Sequence, residues 1–386
     1  MNPRPSPSIL MLLSNAFDPD PRVHNEGRVL VRNGYKVTIL CWDRDRFRPP
    51  VEFVDGIRVE RIYVRSTHGR GVSQIFFLGM FWVLALARAV TMRYQVVHCH
   101  DFDTLPLGVV LSIFKRVKLV YDAHESYADM LENVPKWIPL CIVALENWCL
   151  RRVDCVITVG DILAKAFWGR GAKKTVVVGN WKDPQGFVFP AEILHKERET
   201  LGIPRDQVVV SFIANLGLER QIAPLVEAVR GISKLTLLVG GKGPAESIVR
   251  RAAEESKNIV YLGFVHPSKV PLYTALSDII FYGFDPWNRN ARFSAPNKLF
   301  EGIACGRGLI TGDFGEIGAM VRRYNLGRVV EAYTPECIRR AIWELADPRV
   351  SNEVSSNCQK AAKIFNWSTA SRRLLEAYSA LGLSCS

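Results

Sequence analysis

Short apolar runs alternate along the chain with longer segments of helical periodicity. In the first half the runs are ILMLLSN (9–15), KVTILCW (36–42), a run over 57–64, QVVHCH (95–100), KLVYDAH (118–124), CVITVG (155–160) and TVVVGN (175–180). Helices are expected to begin between them, near Val23, Val72, Leu105, Pro135 and Asp161. Brief apolar runs separated by helices are typical of parallel strands that are covered on both faces. The pattern predicts an α/β fold with a doubly wound sheet.

The second half repeats this pattern after a break. Its apolar runs are QVVVSFIA (207–214), LTLLVGG (235–241), IVYLGF (259–264), DIIFYGF (278–284), GLITGD (308–313) and GRVVE (327–331). The intervening segment 183–206 is rich in proline, glycine and charge, as domain boundaries often are. We therefore expect two Rossmann-like domains, 1–185 and 206–365, followed by a closing helix within 366–386. If the domains face each other, the carboxyl ends of both sheets border one cleft, where open α/β sheets bind ligands.

Composition narrows the class of partner. Apolar residues make up 48% and charged residues 23% of the chain, as in ordinary globular proteins. The net charge of +12 suits anionic partners, such as phosphates or anionic lipid surfaces. No basic stripe is interleaved with aromatic residues and no zinc-finger spacing occurs, so we do not expect a nucleic-acid partner. The nine cysteines lie mostly in apolar runs, and the first apolar run is too short for a signal peptide, so a cytoplasmic protein is expected.

Ile75 to Ala87 (IFFLGMFWVLALA) is a run of thirteen residues without a charge. Such a run is too short to be expected as a membrane span. It fits either a buried core helix or a helix that partly faces a membrane, and both interpretations stay open. A cytoplasmic location therefore includes the inner face of the membrane as an alternative.

The stretch SAPNKLFEGIACGRGLI (294–310) carries candidate chemistry at a strand end. Pro296 is expected as the first helical residue, so the free amides of 296–298 and Lys298 would form an anion site. Glu301 lies roughly 6 Å further along the helix, on the face of Asn297. It is either a solvated charge that complements the helix dipole or a carboxylate that accepts hydrogen bonds from a diol. Spacing alone favours the solvated charge.

The motif HCHDFD (98–103) raises the question of a metal site. His98 and His100 share one face of a strand, and Asp101 and Asp103 follow. A metal site needs three or four convergent ligands, and no second cluster in the sequence completes one, so none is expected. The expected role of His100 and Asp101 is to line the cleft on the acceptor side.

The second half resembles the donor-binding domain of glycosyltransferase family 4, the group 1 retaining glycosyltransferases of the GT-B fold. The resemblance is carried by FIANLGLERQIAPLVEAV (212–229), LLVGGKGPAESIVRRA (237–252), the segment 258–284 and PNKLFEGIACGRGLI (296–310). The first half resembles the same family through DPRVHNEGRVLVRNGYKVTIL, VVHCHDFDTLPLG, LVYDAHE, LRRVDCVITVGDILAKAF and VVVGNWKD. The motifs occur in the family's order over nearly the whole chain, and the resemblance implies that the closing helix crosses back to the N-terminal domain.

The resemblance implies a donor site in the second half. A glutamate at the position of Glu301 binds the nucleotide ribose in that family, and the helix amides at 296–298 hold the diphosphate. The basic pair of the family falls on Asn215 and Arg220, so only Arg220 keeps the charge, and Phe293 stands where an acid is expected. The implied donor-binding residues are Asn215, Arg220, Pro296, Asn297, Lys298 and Glu301.

The resemblance places the acceptor in the first half. His124 would lie beside the transferred sugar as the catalytic residue, where a neutral imidazole can hydrogen-bond and stabilise developing charge. Arg22 either meets an acceptor phosphate or forms an ion pair with Asp18 or Asp20. The implied acceptor-binding residues are Asn15, Arg22, His100, Asp101 and Glu125.

The implied activity is retaining, metal-independent transfer of a sugar from a UDP- or GDP-linked donor. The acceptor would be a glycan or a lipid-linked molecule in polysaccharide or glycolipid synthesis, with no cofactor besides the co-substrate. Two alternatives remain open from the sequence. One is a sugar-nucleotide epimerase or hydrolase on the same fold, and the other is a non-catalytic, nucleotide-sugar-binding partner subunit.

Overall fold

The computed structural model describes residues 6–18, 20–66, 74–131 and 134–383. The chain divides into two compact units, the first comprising Met1–Gly179 with Ala370–Ser386 and the second comprising Asn180–Thr369. Each unit contains one mainly parallel sheet with helices, which confirms the predicted α/β class. The division falls at Gly179, whereas the sequence places a linker over 183–206. That segment contains a short 3₁₀ turn and a helix, both within the second unit.

The first unit has an eight-stranded sheet. Its strands are β1 (Ser8–Leu13), β2 (Lys36–Asp43), β3 (Val51–Val54), β4 (Ile57–Tyr63), β5 (Val96–His100), β6 (Lys118–Ala123), β7 (Cys155–Thr158) and β8 (Thr175–Val177). Their order is β3-β4-β2-β1-β5-β6-β7-β8, and only β3 is antiparallel. The chain reverses its direction of winding between β1 and β5, so the segments after these strands flank a typical ligand-binding position.

The helices of the first unit follow the predicted alternation. They are α1 (Pro21–Arg32), α2 (Gln74–Ala89), α3 (Leu105–Lys115), α4 (Tyr127–Met130), α5 (Trp137–Leu150) and α6 (Asp161–Gly169). The start predicted near Val72 lies outside the described residues. Asp20 caps α1 by accepting hydrogen bonds from the backbone N–H groups of Arg22 and Val23. This cap, with Pro21 as the next residue, begins α1 directly after the β1 loop and turns Glu26 toward the interior, where it is fully buried.

The second unit has a six-stranded parallel sheet. Its strands are β9 (Val208–Ile213), β10 (Leu235–Gly240), β11 (Ile259–Tyr261), β12 (Ile279–Tyr282), β13 (Gly308–Gly312) and β14 (Gly327–Val330), in the order β11-β10-β9-β12-β13-β14. Its helices are α7 (Ala191–Thr200), α8 (Ile222–Val229), α9 (Glu246–Glu255), α10 (Val270–Leu276), α11 (Asn297–Cys305), α12 (Gly315–Tyr324), α13 (Pro335–Ala346) and α14 (Pro348–Ala362). The winding reverses between β9 and β12, so the loops after these two strands are neighbours.

The last helix, α15 (Trp367–Ser379), brings buried side chains into the first unit from Ala370 onward. Tyr378 is fully buried, and its hydroxyl lies 2.8 Å from Nδ1 of His98 in β5. The Arg373 guanidinium donates a hydrogen bond to the carbonyl of Val177, at 3.3 Å. The C-terminal residues thus complete the core beneath the carboxyl end of the first sheet.

The apolar run 75–87 lies within α2 and is buried on one side only. Phe81, Ala85 and Ala89 are buried, whereas Phe76 and Val83 are 68% and 67% exposed. The interpretation of this run as a helix buried on all sides is therefore wrong. Over the described parts of the chain, no helix combines the length and the apolarity needed to cross a bilayer.

Candidate functional site

The carboxyl ends of β5 and β6 carry a cluster of ionisable side chains centred on Asp122. This carboxylate is fully buried, and it accepts hydrogen bonds from Arg22 Nε at 2.9 Å and from Arg22 Nη2 at 2.6 Å. Nε2 of His124 lies 2.8 Å from the same carboxylate, and Nδ1 of His100 lies 3.2 Å from it. Burial disfavours its charge, but Arg22 and His124 outweigh burial and hold the pKa of Asp122 well below its usual range. Asp122 therefore stays ionised and orders three basic side chains.

His124 lies between two carboxylates. Its Nδ1 is 3.1 Å from Asp101 Oδ2, and its backbone N–H donates to Asp101 Oδ1 at 3.1 Å. Burial opposes protonation of the ring, but Asp101 and Asp122 outweigh it and raise the pKa of His124 well above its usual value. With both ring nitrogens at carboxylates, His124 is an imidazolium that donates from both sides. The neutral imidazole expected from the sequence is therefore wrong, since the ring lies between two carboxylates. The sequence alone did not show that Asp122 shares the site.

Arg22 pairs with neither of the acids that the sequence suggested. Asp20 bonds the backbone N–H of Arg22 as a helix cap, while Asp18 pairs with Arg48. The guanidinium instead lies against Asp122, and Nη1 donates to the carbonyl of Val178 at 2.7 Å. Arg22 therefore orders Asp122 and the end of β8 from within the core.

A group of potential metal ligands overlaps this cluster and extends from it into the core. Glu26, His98, His100 and Asp122 are all fully buried, and each offers a ligand atom within 4.8 Å of the others. The expectation that nothing completes the HCH motif is thus wrong, since Glu26 comes from α1 and Asp122 from β6. However, Nη2 of Arg22 lies 3.2 Å from Glu26 and 2.6 Å from Asp122, so a guanidinium already supplies positive charge to both acids.

Glu26 is the least satisfied member of this group. Among the described residues, neither of its carboxylate oxygens has a hydrogen-bond partner, and the same holds for Nε2 of His98 and of His100. Burial and the charge of Asp122 raise the pKa of Glu26 to about 8. The folded chain therefore holds the Glu26 proton to a higher pH than the unfolded chain does.

Glu26→Gln is expected to flatten the pH dependence of stability. In the wild type, the folded chain keeps the Glu26 proton up to about pH 8, whereas the unfolded chain loses it near its ordinary pKa, so stability falls as pH rises between these values. Glutamine stays neutral, so the variant should match the wild type near pH 5 and be more stable near pH 8, by a few kcal/mol. Urea unfolding at both pH values measures this. The exposed Glu192→Gln is the control, and an unchanged slope in Glu26→Gln would contradict a buried, neutral Glu26.

The remaining predicted residues of the first unit lie in the loops after these strands. Asn15 follows β1, and its amide donates to Asp20 Oδ2 at 3.0 Å while its oxygen accepts from the N–H of Phe17 at 2.9 Å. Asp101 directly follows β5 with φ of 61°, a left-handed conformation that an aspartate adopts more readily than most residues. Glu125 is half-buried and follows His124. The structure thus brings His100, Asp101, Arg22 and His124 into one network, while Asn15 bonds within its own loop.

In the second unit, the start of α11 presents a buried ion pair. Lys298 and Glu301 are 9% and 6% exposed, and Nζ of Lys298 contacts Oε2 of Glu301. Glu301 is therefore not the solvated surface charge that spacing favoured. The helix begins one residue later than expected, with Pro296 in an extended conformation (φ −69°, ψ 148°) as the N-cap and Asn297 as the first helical residue.

Lys182 is a further basic residue at this helix start that sequence reasoning did not single out. Its Nζ donates to Asn297 Oδ1 at 2.8 Å. Burial lowers the pKa of Lys182, with Glu301 opposing and Lys298 adding to the effect. The preceding Trp181 packs edge-on against Phe365 at a centroid distance of 5.4 Å, which anchors this segment. The motif VVVGNWKD holds Lys182, but no local pattern distinguishes it from a solvated lysine.

Arg220 and Asn215 follow β9, the strand beside β12. The Arg220 guanidinium lies 4.2 Å from the ring centroid of Phe284 and contacts the hydroxyl of Tyr282. Asn215 is exposed, and Phe293 is half-buried after the 3₁₀ turn Arg289–Arg292. Helix α11, with Lys298 and Glu301, follows β12, and Arg220 follows the neighbouring β9, while Lys182 contacts Asn297 at the start of α11. Basic side chains, helix amides and a carboxylate are a set that can hold a phosphorylated ligand bearing hydroxyl groups.

Comparisons with known proteins decide the family. Residues 19–181 match the profile of the glycosyl transferase 4-like domain, and residues 207–347 match that of the glycosyl transferases group 1. The chain belongs to the group 1 glycosyltransferases. This glycosyltransferase is 21% identical over 372 residues to an uncharacterised glycosyltransferase of Methanocaldococcus jannaschii, with 90% of each chain covered.

Solved structures share its fold. A sucrose-phosphate synthase of Thermosynechococcus elongatus aligns with a TM-score of 0.77 at 18% identity, over 97% of this chain and 99% of that one. The HepE protein of Anabaena, solved in complex with UDP, aligns with a TM-score of 0.70 at 18% identity, over 97% and 100%. At this identity, the likeness establishes the GT-B architecture for this glycosyltransferase.

Proposed function

We propose that this glycosyltransferase transfers a sugar, with retention of configuration and without a metal ion or other cofactor, from a UDP- or GDP-sugar to a lipid-linked acceptor at an anionic membrane surface. The observation that carries the donor half is the buried Lys298–Glu301 pair at the start of α11. The solved complex of the HepE protein with UDP supports the choice of a nucleotide diphosphate.

The proposed binding of the nucleotide-sugar donor is supported by the positive charge at the start of α11. A nucleoside diphosphate carries negative charge that the free amides of a nine-residue helix attract. Lys298 and Lys182 add two ammonium groups beside that terminus, and Arg220 adds a guanidinium after the neighbouring strand. These groups would stabilise the departing diphosphate electrostatically, as a divalent metal does in other transferases. Glu301, one turn further along, would accept a hydrogen bond from a ribose hydroxyl through Oε1, because the Lys298 contact is with Oε2.

The acceptor half is assigned to the His124 cluster of the first unit, comprising Arg22, His100, Asp101, Asp122 and His124. The side chain of His124 is 19% exposed, so it is accessible while two carboxylates fix its orientation. As an imidazolium it would stabilise negative charge near the reacting groups rather than accept a proton. Because the donors of Arg22 point at Asp122 and Val178, we assign Arg22 to positioning and not to an acceptor phosphate.

The membrane half of the proposal rests on α2, α3 and α5. Helix α3 contacts both α2 and α5, and together they form what we call the apolar face. Its exposed large apolar side chains are Ile75, Phe76, Met80, Val83 and Leu84 of α2, Val110, Ile113 and Phe114 of α3, and Trp137, Leu140, Leu145 and Trp148 of α5. These twelve exposed apolar side chains lie on three helices that pack in a row, and concentrations of this kind mark sites of protein or membrane contact.

Charge favours a lipid surface over a protein partner at this face. Helices α2 and α3 contain no acidic residue, and the single acid of α5, Glu146, is buried against Tyr121 and Arg170. Arg88 and Lys115 lie in the last turns of α2 and α3, while Arg151 and Arg152 follow α5. Apolar side chains, tryptophans and a basic border are the features of interfacial membrane contact.

Val83→Ser is expected to weaken binding to vesicles that contain anionic lipid by roughly tenfold, because a fully buried valine contributes about 1.5 kcal/mol or more. Cosedimentation of the purified chain with such vesicles measures this. Val188→Ser is the matched control, since Val188 is 75% exposed in the second unit. An equal loss of vesicle binding in both variants, or no vesicle binding by the wild type, would contradict the proposed membrane contact.

Transfer itself is tested by incubation with UDP- and GDP-sugars, with and without a lipid extract as acceptor. The proposal expects a glycosylated lipid whose anomeric configuration matches that of the donor, as read by NMR. Full turnover of the nucleotide-sugar without acceptor would instead favour the epimerase or hydrolase alternative. Product formation that survives chelation of divalent cations would support metal independence.

A further inference from the structure

The first unit has a cavity of about 270 Å³ at the opposite edge of its sheet from the His124 cluster. It is lined by the amino-terminal parts of β1, β2 and β4 together with the end of α2 and the segment 91–94 that follows it. Its volume is close to the lower limit of typical small-ligand pockets. Neither the proposed donor site nor the proposed acceptor site uses this cavity.

The cavity carries an excess of positive charge. Arg58, Arg88 and Arg93 line it, against one carboxylate, that of Glu60. Arg88 holds that carboxylate with two donors, Nε at 2.7 Å and Nη2 at 3.0 Å, and Arg58 Nε adds a third at 2.7 Å. Since one bidentate arginine balances one carboxylate, the other two guanidinium groups leave a surplus of two positive charges.

A tyrosine in the wall of the same cavity carries a buried hydroxyl for which the described residues offer no hydrogen-bond partner. Tyr94 lines the cavity and is 8% exposed, and within the described ranges its hydroxyl makes no hydrogen bond. A buried hydroxyl without a partner is unfavourable and uncommon in folded proteins. An anion held between the arginines would offer this hydroxyl an acceptor.

We propose that this cavity, which we call the arginine cavity, is a binding site for a phosphate group, either free or at the head of a membrane lipid. Three observations carry the proposal: the half-open cavity, the two surplus guanidinium charges and the Tyr94 hydroxyl, which has no partner among the described residues. A phosphate oxygen accepts hydrogen bonds from guanidinium and hydroxyl donors alike. The site is independent of the proposed donor site, because all its residues belong to the first unit.

The test compares the full-length wild type with Arg93→Gln, Tyr94→Phe and a control, Arg251→Gln, whose arginine is 80% exposed in the second unit. Calorimetry measures binding of inorganic phosphate with UDP in excess, so that any phosphate site at α11 is occupied. Flotation measures binding to phosphatidylcholine vesicles with and without phosphatidic acid. Far-ultraviolet circular dichroism and thermal unfolding check that each variant is folded.

We expect Arg93→Gln to weaken phosphate binding about tenfold and Tyr94→Phe about threefold, with no change in Arg251→Gln. If the natural ligand is free phosphate, the loss appears with inorganic phosphate. If it is a lipid headgroup, the same ranking of variants appears only in the part of vesicle binding that requires phosphatidic acid. Binding of both probes that is equal in all four proteins, or absent from the wild type, would overturn the proposal. UDP binding by these variants tests the donor site separately.

Discussion

Replacing Lys298 by methionine and Glu301 by leucine together is expected to abolish nucleotide binding without a large loss of stability. Both side chains are nearly buried and pair with each other. A buried ion pair exchanged for apolar residues of similar volume is often neutral or stabilising. The double variant should therefore fold, while it lacks the ammonium group and the carboxylate that we assign to the diphosphate and the ribose.

Each single substitution should behave differently. Lys298→Met or Glu301→Leu leaves one buried charge without its partner, which costs about 3–5 kcal/mol of unfolding free energy. In Lys298→Met the loss of unfolding free energy should be smaller than in Glu301→Leu, because Lys182 lies at the same helix start and offers Glu301 a positive charge. Urea unfolding of the three variants checks the ranking. If the two single-substitution variants were as stable as the double variant, the pair would not be buried as described.

Among substitutions that keep the shape of the side chain, Asp122→Asn is expected to cause the largest loss of stability and of sugar transfer in the first unit. It removes the charge that holds Arg22, His100 and His124, and it leaves the buried guanidinium without its main partner. We expect a loss of about 3–5 kcal/mol in unfolding free energy and a fall in sugar transfer of about 100-fold or more, because a misplaced charged group stabilises a transition state poorly.

An NMR titration of His124 distinguishes an electrostatic role of Asp122 in sugar transfer from a merely structural one. In the wild type, the pKa of His124 is raised by Asp101 and Asp122 against the opposing effect of burial, so the ring stays charged through neutral pH. In Asp122→Asn, the His124 resonance should titrate at clearly lower pH by NMR. The control is Asp55→Asn, since Asp55 is 53% exposed and, among the described residues, pairs with His24 and Arg28 at the surface, where such pairs contribute about 1 kcal/mol or less. An unchanged His124 titration in Asp122→Asn would contradict the two-carboxylate arrangement.

The fold was accessible from sequence because its signals are local. Apolar runs bounded by helices predicted thirteen of the fourteen strands found in the described residues, each to within a few residues of its observed bounds. The missed strand, β3, has only four residues and lies at a sheet edge, although its Asp55-Gly56 turn, with both φ values positive, is a hairpin signal. Here the turn was the informative feature, and the short exposed strand carried little periodicity of its own.

The site was less accessible because its contacts are long-range. Arg22 and Asp122 are 100 residues apart, and the sequence offers only an acceptor phosphate or the nearby Asp18 and Asp20 as partners of Arg22. The signal for Asp122 was a charge inside the apolar run KLVYDAH, which calls for a buried partner. Glu26 and Lys182 gave no such signal: one lies in an ordinary amphipathic helix, and the other in a segment of mixed character. Glu301 was assigned to a ligand by the family resemblance and not by its spacing, and its burial against Lys298 is visible only in the folded helix.

The most direct test of the account is calorimetric titration of UDP and GDP into the wild type and into the Lys298→Met, Glu301→Leu double variant. We predict that one nucleotide binds the wild type and stabilises it by about 2.7 kcal/mol at a hundredfold excess over its dissociation constant. The double variant should be folded, with unfolding free energy close to that of the wild type, and should show no binding. Nucleotide binding of equal strength by the folded double variant would contradict a donor site at the start of α11.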